Sequence, residues 1–297
     1  MVITFLQGGL GNQLFQYAIG RQLAIRQSSE LKLDLSWFCD PAKRVGITPR
    51  KFLLDNFQIH AVEASPAEIN RLRPTKGFRH AIKGVQRSIS PYYWNTWLHE
   101  RRWFAFDAGV LDVRHDVYLS GYWQNEGYFR DCEDILRREV VPKRPLHPDT
   151  ESVLSRISET DAVAIHVRRG DYANAEPVPW GHFVCEPAYY HACIDRIRQR
   201  VPKAHFFVFS DEPKWVKANL EIPGPVEFII HNGGERPHED LWLMRSCKHQ
   251  ILSSSTFGWW GAWLNTNPDK IVLAPQKWFY GELFDTSELL LRGWERL

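Results

Sequence analysis

Apolar and polar positions alternate along this chain in two regimes. Short apolar runs of strand length recur at Val2–Leu6, Leu31–Leu35, Val117–Ser120, Ala162–Val167, His205–Phe209, Val226–Ile230, Gln250–Leu252 and Ile271–Ala274. Between them lie stretches with helical spacing, including Leu14–Arg26, Glu126–Val140, Pro187–Arg200 and Asp240–Cys247. Such alternation predicts α/β architecture with mostly parallel sheets, because each strand-to-strand crossover carries a helix. The run "VVPKRPLHPDTE" (Val140–Glu151), rich in proline and charge, breaks the pattern and reads as a linker between domains 1–150 and 151–297.

Length and composition fit this division. At 297 residues the chain is long enough for two cores. Lys plus Arg total 37 against 35 for Asp plus Glu, a net of +2, so no global field recruits nucleic acid, and an anionic ligand requires local charge. The 5 cysteines are scattered without a Cys-x-x-Cys pair, which argues against a disulfide framework or zinc site and for a reducing compartment. No apolar run approaches the ~20 residues of a membrane span, so the expected location is cytoplasmic. The 13 tryptophans are read chiefly as packing, with sugar or base stacking as the alternative. The stretch Ala61–Arg114, with "SPYYWNTWLHERRWFAF", is open between a helical insertion, an acceptor wall and core.

Two regions carry candidate chemistry. Near the N-terminus, "GGLGNQLFQYAIG" gives a strand–turn–helix in which Gly9 and Gly11 supply the first two glycines of a dinucleotide fingerprint. Leu14 occupies the third, however, and Asn12 and Gln13 read as amides aimed out of the loop. In the second half, "AVAIHVRRGDY" ends a buried-type strand with His166, Arg168, Arg169 and Asp171, where ligands of open α/β sheets bind. Arginine there suits bidentate phosphate recognition; a surface ion pair is the bland alternative. "HFFVFSDEPKW" places Asp211 either as an acceptor for base or ribose or as the cap of a helix begun by Pro213. "LSSSTFGWWGAWL" offers hydroxyl residues opening a helix, an anion site by its N–H groups and dipole, or simply a cap. No two aspartates are separated by one residue, so the Asp-x-Asp metal anchor of many sugar-nucleotide enzymes is missing and no metal is expected.

Taken together, "GGLGNQLFQYAIGRQLA", "GYWQNEGYF", "HVRRGDY", "FSDEPKW" and "EDLWLM…SSSTFGWWGAWL" resemble, in order and spacing, the bacterial α-1,2-fucosyltransferases of glycosyltransferase family eleven. The resemblance implies a GT-B type fold, two Rossmann-like domains facing across a cleft, the first on the acceptor side. It implies metal-independent, inverting transfer of fucose from GDP-β-L-fucose to the 2-hydroxyl of a galactose-terminated acceptor glycan. Arg168 then resembles the β-phosphate arginine, with His166 and Arg169 as its shell and Asp171 orienting it. Asp240 resembles a guanine-reading carboxylate, Ser254, Ser255 and Thr256, running into Phe257, a diphosphate cradle, and Gly11 and Asn12 approach the donor from the opposite wall. Asp171, Glu176 and His182 are candidates for a general base. A lipid-linked O-antigen repeat at the inner membrane, a capsule unit and a free oligosaccharide stay open as acceptors. So do an enzyme of the same fold with another fucosyl linkage or another donor, and a non-catalytic sugar- or nucleotide-binding protein of that fold.

Overall fold

The computed structural model describes residues 1–39, 50–73, 94–173 and 181–297. It divides into two compact units, Met1–Val141 with Asp285–Leu289, and Pro142–Phe284 with Leu290–Leu297. The division falls inside the proline- and charge-rich run, between Val141 and Pro142. The end of that run is already helix: His147 caps and Pro148 opens Pro148–Ser158.

The first unit is a five-stranded sheet of β1 (Val2–Phe5), β2 (Leu31–Asp34), β3 (Val62–Glu63), β4 (Trp97–His99) and β5 (Val117–Ser120), ordered β3-β2-β1-β5-β4. All its pairings are parallel. The short β3 and β4 carry too few apolar residues to stand out in sequence. The central strand reads as a continuous apolar run because both faces are covered. Helix Leu10–Arg26 lies against it, and Gly20 permits the approach: a Cβ there would overlap Thr4 Oγ1 and come within 2.8 Å of Leu31 Cδ1. The close-packing glycine that the fingerprint lacks at Leu14 is supplied by Gly20, while Leu14 itself is buried core.

The second unit holds six parallel strands, β6 (Asp161–Val167), β7 (Ala204–Ser210), β8 (Val226–Ile229), β9 (His249–Ile251), β10 (Val272–Ala274) and β11 (Glu295–Arg296). Their order, β11-β10-β9-β6-β7-β8, is the doubly wound arrangement with a topological switch between β6 and β9. Val163, Ile165, Val167, Phe206, Val208 and Ile251 pack one face of the sheet, and Ala162, Ala164, Phe207 and Phe209 pack the other. Trp259, Trp260, Trp263 and Trp294 bury their rings against one another, so these tryptophans are packing. All five cysteines are free thiols.

Candidate active site

Parallel strands bring the C-terminal ends of β6, β7 and β9 to one edge, and there the predicted residues Arg168, Asp171, Asp211 and Ser253–Phe257 assemble. Arg168 follows β6. Its Nη2 donates to Asp171 Oδ1 at 2.6 Å and its Nη1 lies 3.1 Å from Asp211 Oδ2. Burial alone would lower the guanidinium's pKa; the Asp211 and Asp171 carboxylates outweigh it and raise it above its ordinary value. The two carboxylates fix the plane of the cation and leave further N–H donors for a ligand. Gly170 makes the geometry possible, since a Cβ there would overlap Asp211 Oδ2 and sit 3.2 Å from its Cγ.

Arg169 points elsewhere. Its guanidinium lies 3.6 Å over the Trp215 ring and its Nε is 3.4 Å from Glu212 Oε2, while its backbone N–H donates to Asp211 Oδ1 at 3.0 Å. Asp211 is thus spent on both arginines. It does not cap the following helix Pro213–Asn219, whose N-cap is Glu212 without a side-chain bond.

His166, 6% exposed, is the penultimate residue of β6, with Nδ1 2.8 Å from Ser253 Oγ. Burial, helped by the Arg168 charge, lowers the imidazole to about 3, so it is a neutral hydrogen-bonding group. It buttresses helix Thr256–Leu264: Gly258 faces it, and a Cβ there would meet Nδ1 at 2.8 Å. The serines differ from a hydroxyl cradle. Ser254 Oγ donates to the Phe183 carbonyl and Ser255 Oγ accepts from Phe257 N at 3.3 Å. The hydroxyls of Ser254 and Ser255 fix the turn, and what this turn can offer an anion is the helix terminus that Thr256 begins. The Phe257 ring stands 5.5 Å from the His166 ring.

Sequence reading missed a column of rings behind Arg168. Its guanidinium lies 5.4 Å from the Tyr172 ring, Tyr172 stacks on His182 at 4.3 Å and 8°, and His182 meets Phe279 at 4.9 Å. Burial lowers His182 to about 4, with Asp171 opposing and Arg168 assisting. Nothing in sequence links residues 172, 182 and 279; the aromatic residue directly after Asp171 was the one available signal. Glu176 lies outside the described residues.

Asp240 sits one strand beyond β7, in the first turn of helix Pro237–Ser246 after β8. Asn232 Nδ2 donates to its Oδ1 at 2.6 Å. Burial raises the carboxyl to about 6 against that hydrogen bond, with Glu239 adding to the rise. Its hydrogen bond is to this neighbourhood and not to the Arg168 group.

Asn12 and Gly11 belong to the first unit, at the C-terminal end of β1. Gly11 is buried in the first helical turn, and Asn12 Oδ1 accepts from Gln124 Nε2 at 3.0 Å. Gln13 is not aimed out of the loop: fully buried, it donates to the carbonyls of Gly8 and Lys51 and accepts from Leu53 N. Asp34, the last residue of β2, accepts from Tyr118 Oη at 2.6 Å and Ser36 N at 2.9 Å. Among the described residues no three His, Cys, Asp or Glu side chains form a metal-ligand group, and no helix is long and apolar enough to cross a membrane.

Two parallel-sheet α/β units, one carrying a clamped arginine at its topological switch point, match the pair of Rossmann-like domains that the sequence resemblance implies. The profile of glycosyl transferase family 11 matches residues 1–297, and the chain belongs to that family. It is 30% identical over 298 residues to an alpha-1,2-colitosyltransferase of Escherichia coli, covering 100% of this chain and 99% of that one. It is 30% identical to the O-antigen biosynthesis glycosyltransferase WbnK of Escherichia coli, over 98% and 99% of the two chains. The human galactoside alpha-(1,2)-fucosyltransferase 1 is 32% identical over 164 residues, 52% of this chain and 45% of that protein. Among solved structures, the NodZ alpha-1,6-fucosyltransferase soaked with GDP-fucose is similar at a TM-score of 0.48 and 16% identity, over 89% and 91% of the chains.

Proposed function

We propose that this chain transfers L-fucose from GDP-β-L-fucose to the 2-hydroxyl of a terminal galactose, with inversion to an α-1,2 linkage and without a metal ion. The observation that supports it most is Arg168, a permanently charged, partly buried guanidinium whose plane is fixed by Asp171 and Asp211. As the bond from C1 to the β-phosphate oxygen breaks, its electron pair goes to GDP, and the galactose 2-oxygen forms the new bond to C1. A preorganised cation beside that phosphate stabilises the transition state more than the ground state. The helix terminus at Ser255–Phe257 supplies a second positive end for the diphosphate. Asp171 is paired with the arginine, which suits it to positioning better than to accepting a proton. The hydroxyl proton leaves to solvent once the C1–O bond has begun to form. In this reading Arg169 and Trp215 brace the turn, and Asp240 with Asn232 reads the guanine edge.

A second reading replaces fucose by colitose, its 3-deoxy relative; the full-length similarity to the colitosyltransferase favours it. The acceptor in both is a glycan, taken free or lipid-linked at the cytoplasmic face of the membrane. The deciding experiment measures GDP release from GDP-fucose and from GDP-colitose with lactose and other β-galactosides in excess chelator, with NMR assignment of the product. Arg168→Ala should abolish turnover while leaving the far-ultraviolet circular dichroism unchanged. Strict metal dependence, or an active Arg168→Ala variant, would remove the mechanism.

A further inference from the structure

In the first unit, the topological switch lies between β1 and β5, and the segments leaving β1, β5 and β4 crowd the same sheet edge. Three non-glycine residues among those described have positive φ: Ser28, Phe104 (66°) and Trp123 (57°). Phe104 and Trp123 both sit at this edge, and both immediately follow an aromatic residue. Left-handed backbone at bulky residues persists only where the surroundings enforce it, and it concentrates at ligand sites.

The enforcement here is visible. Glu100 is buried, and its Oε2 accepts from Tyr122 N at 2.7 Å; a Cβ on Gly121 would stand 2.5 Å from Glu100 Cβ. Burial raises the Glu100 carboxyl, with the Trp123 and Tyr122 amides opposing. Asn125 Nδ2 donates to the Phe104 carbonyl at 2.7 Å, tying the two left-handed turns together. Between these turns stands Trp103, 47% exposed, its ring 6.1 Å from Tyr122 at 83° and 6.5 Å from Phe104 at 87°. Two edge-on contacts brace the indole and leave a large part of it in solvent.

We propose that Trp103, braced by Tyr122 and Phe104, is the stacking platform for the acceptor saccharide, receiving the apolar C–H face of a β-galactoside. This deepens the proposed function and rests on it. An indole is a broad apolar face with a polar tip, suited to a ring that is apolar on one side and hydroxylated at its rim. Arg101 and Arg102, both exposed, precede it in the chain, so an anionic bilayer is the competing occupant. The observations favour the sugar. A ring that dips into a bilayer needs no fixed orientation, whereas a stacking platform does, and here two strained turns and a buried carboxylate fix it.

The test is saturation-transfer NMR of lactose and methyl β-D-galactoside with the GDP-loaded protein, alongside the lactose KM and the GDP Kd. The wild type should transfer saturation to the galactose protons. Trp103→Ala should lose it and raise the lactose KM by about tenfold or more, with GDP affinity unchanged, and Trp103→Phe should recover most of the binding. Lactose that binds Trp103→Ala as it does the wild type overturns the proposal. So does a wild type that binds neither sugar, or a Trp103→Ala variant that loses only sedimentation with phosphatidylglycerol vesicles. Lactose binding through Trp103 without GDP release from either sugar nucleotide would instead refute the proposed activity and support the platform.

Discussion

Gly170→Ala is the sharpest probe of the arginine clamp. The new methyl would overlap Asp211 Oδ2 and stand 3.2 Å from its Cγ, so the carboxylate must retreat by about 1 Å to reach ordinary contact. Retreat lengthens the Arg168 Nη1–Asp211 Oδ2 separation from 3.1 Å. At an effective dielectric near 20, the attraction falls from about 5 to about 4 kcal/mol, and a charge-assisted hydrogen bond weakens as well. Both side chains are roughly a quarter exposed, which trims the loss through screening, leaving about 1–2 kcal/mol. If the clamp aims Arg168 at the departing phosphate, kcat/KM should drop about 5- to 30-fold. Stability should barely change, because alanine in the short helix Gly170–Ala173 is intrinsically favoured over glycine by up to about 1 kcal/mol. The assay is steady-state GDP release with thermal melts, run for Gly170→Ala, Asp211→Ala and the double variant. Asp211→Ala removes the group that is struck, so adding Gly170→Ala to it should cost nothing more. Full additivity, or a Gly170→Ala variant with wild-type kinetics, would refute the reasoning.

Gly20→Ala should destabilise the first unit by about 1–3 kcal/mol in urea titrations, and Thr4→Ala, which removes the struck hydroxyl, should recover part of it. His166 titrates near 3 when folded and near 6.5 when unfolded, so the unfolded chain binds more protons between those values and stability falls as pH falls from about 6.5. His166→Gln should flatten that slope by up to about 1.4 kcal/mol per pH unit, although the depressed His182 keeps part of it. Asp240, raised to about 6, should lose its acceptor capacity as pH drops through that value, weakening GDP binding in calorimetry. Asp240→Asn should weaken it by about 1–3 kcal/mol and remove the pH dependence.

Much of the fold was legible in the chain. The eight apolar runs of the sequence all became strands, displaced by a residue or so at their ends; the central ones are continuously apolar because both of their faces are buried. β3, β4 and β11 escaped notice: two or three residues paired at or near a sheet edge need no such run. The proline-rich segment looked like linker throughout, yet a capped helix starts inside it, since Pro at the first helical position is compatible with either reading.

The sequence alone determined the parallel α/β plan, the family motifs and the cluster after β6, because hydrophobic period and local residue order are properties of neighbours along the chain. Tertiary structure decided what each group does. Asp211 belongs to Arg168 and not to a helix cap, Gln13 is an internal brace, and Ser254 is held by the Phe183 carbonyl. It also created what no motif announced: the Tyr172–His182–Phe279 column and the left-handed turns around Trp103. A side chain's role depends on which donors, charges and rings the fold brings to within a few ångströms of it. Those partners lie beyond the reach of any local sequence pattern, so none records them.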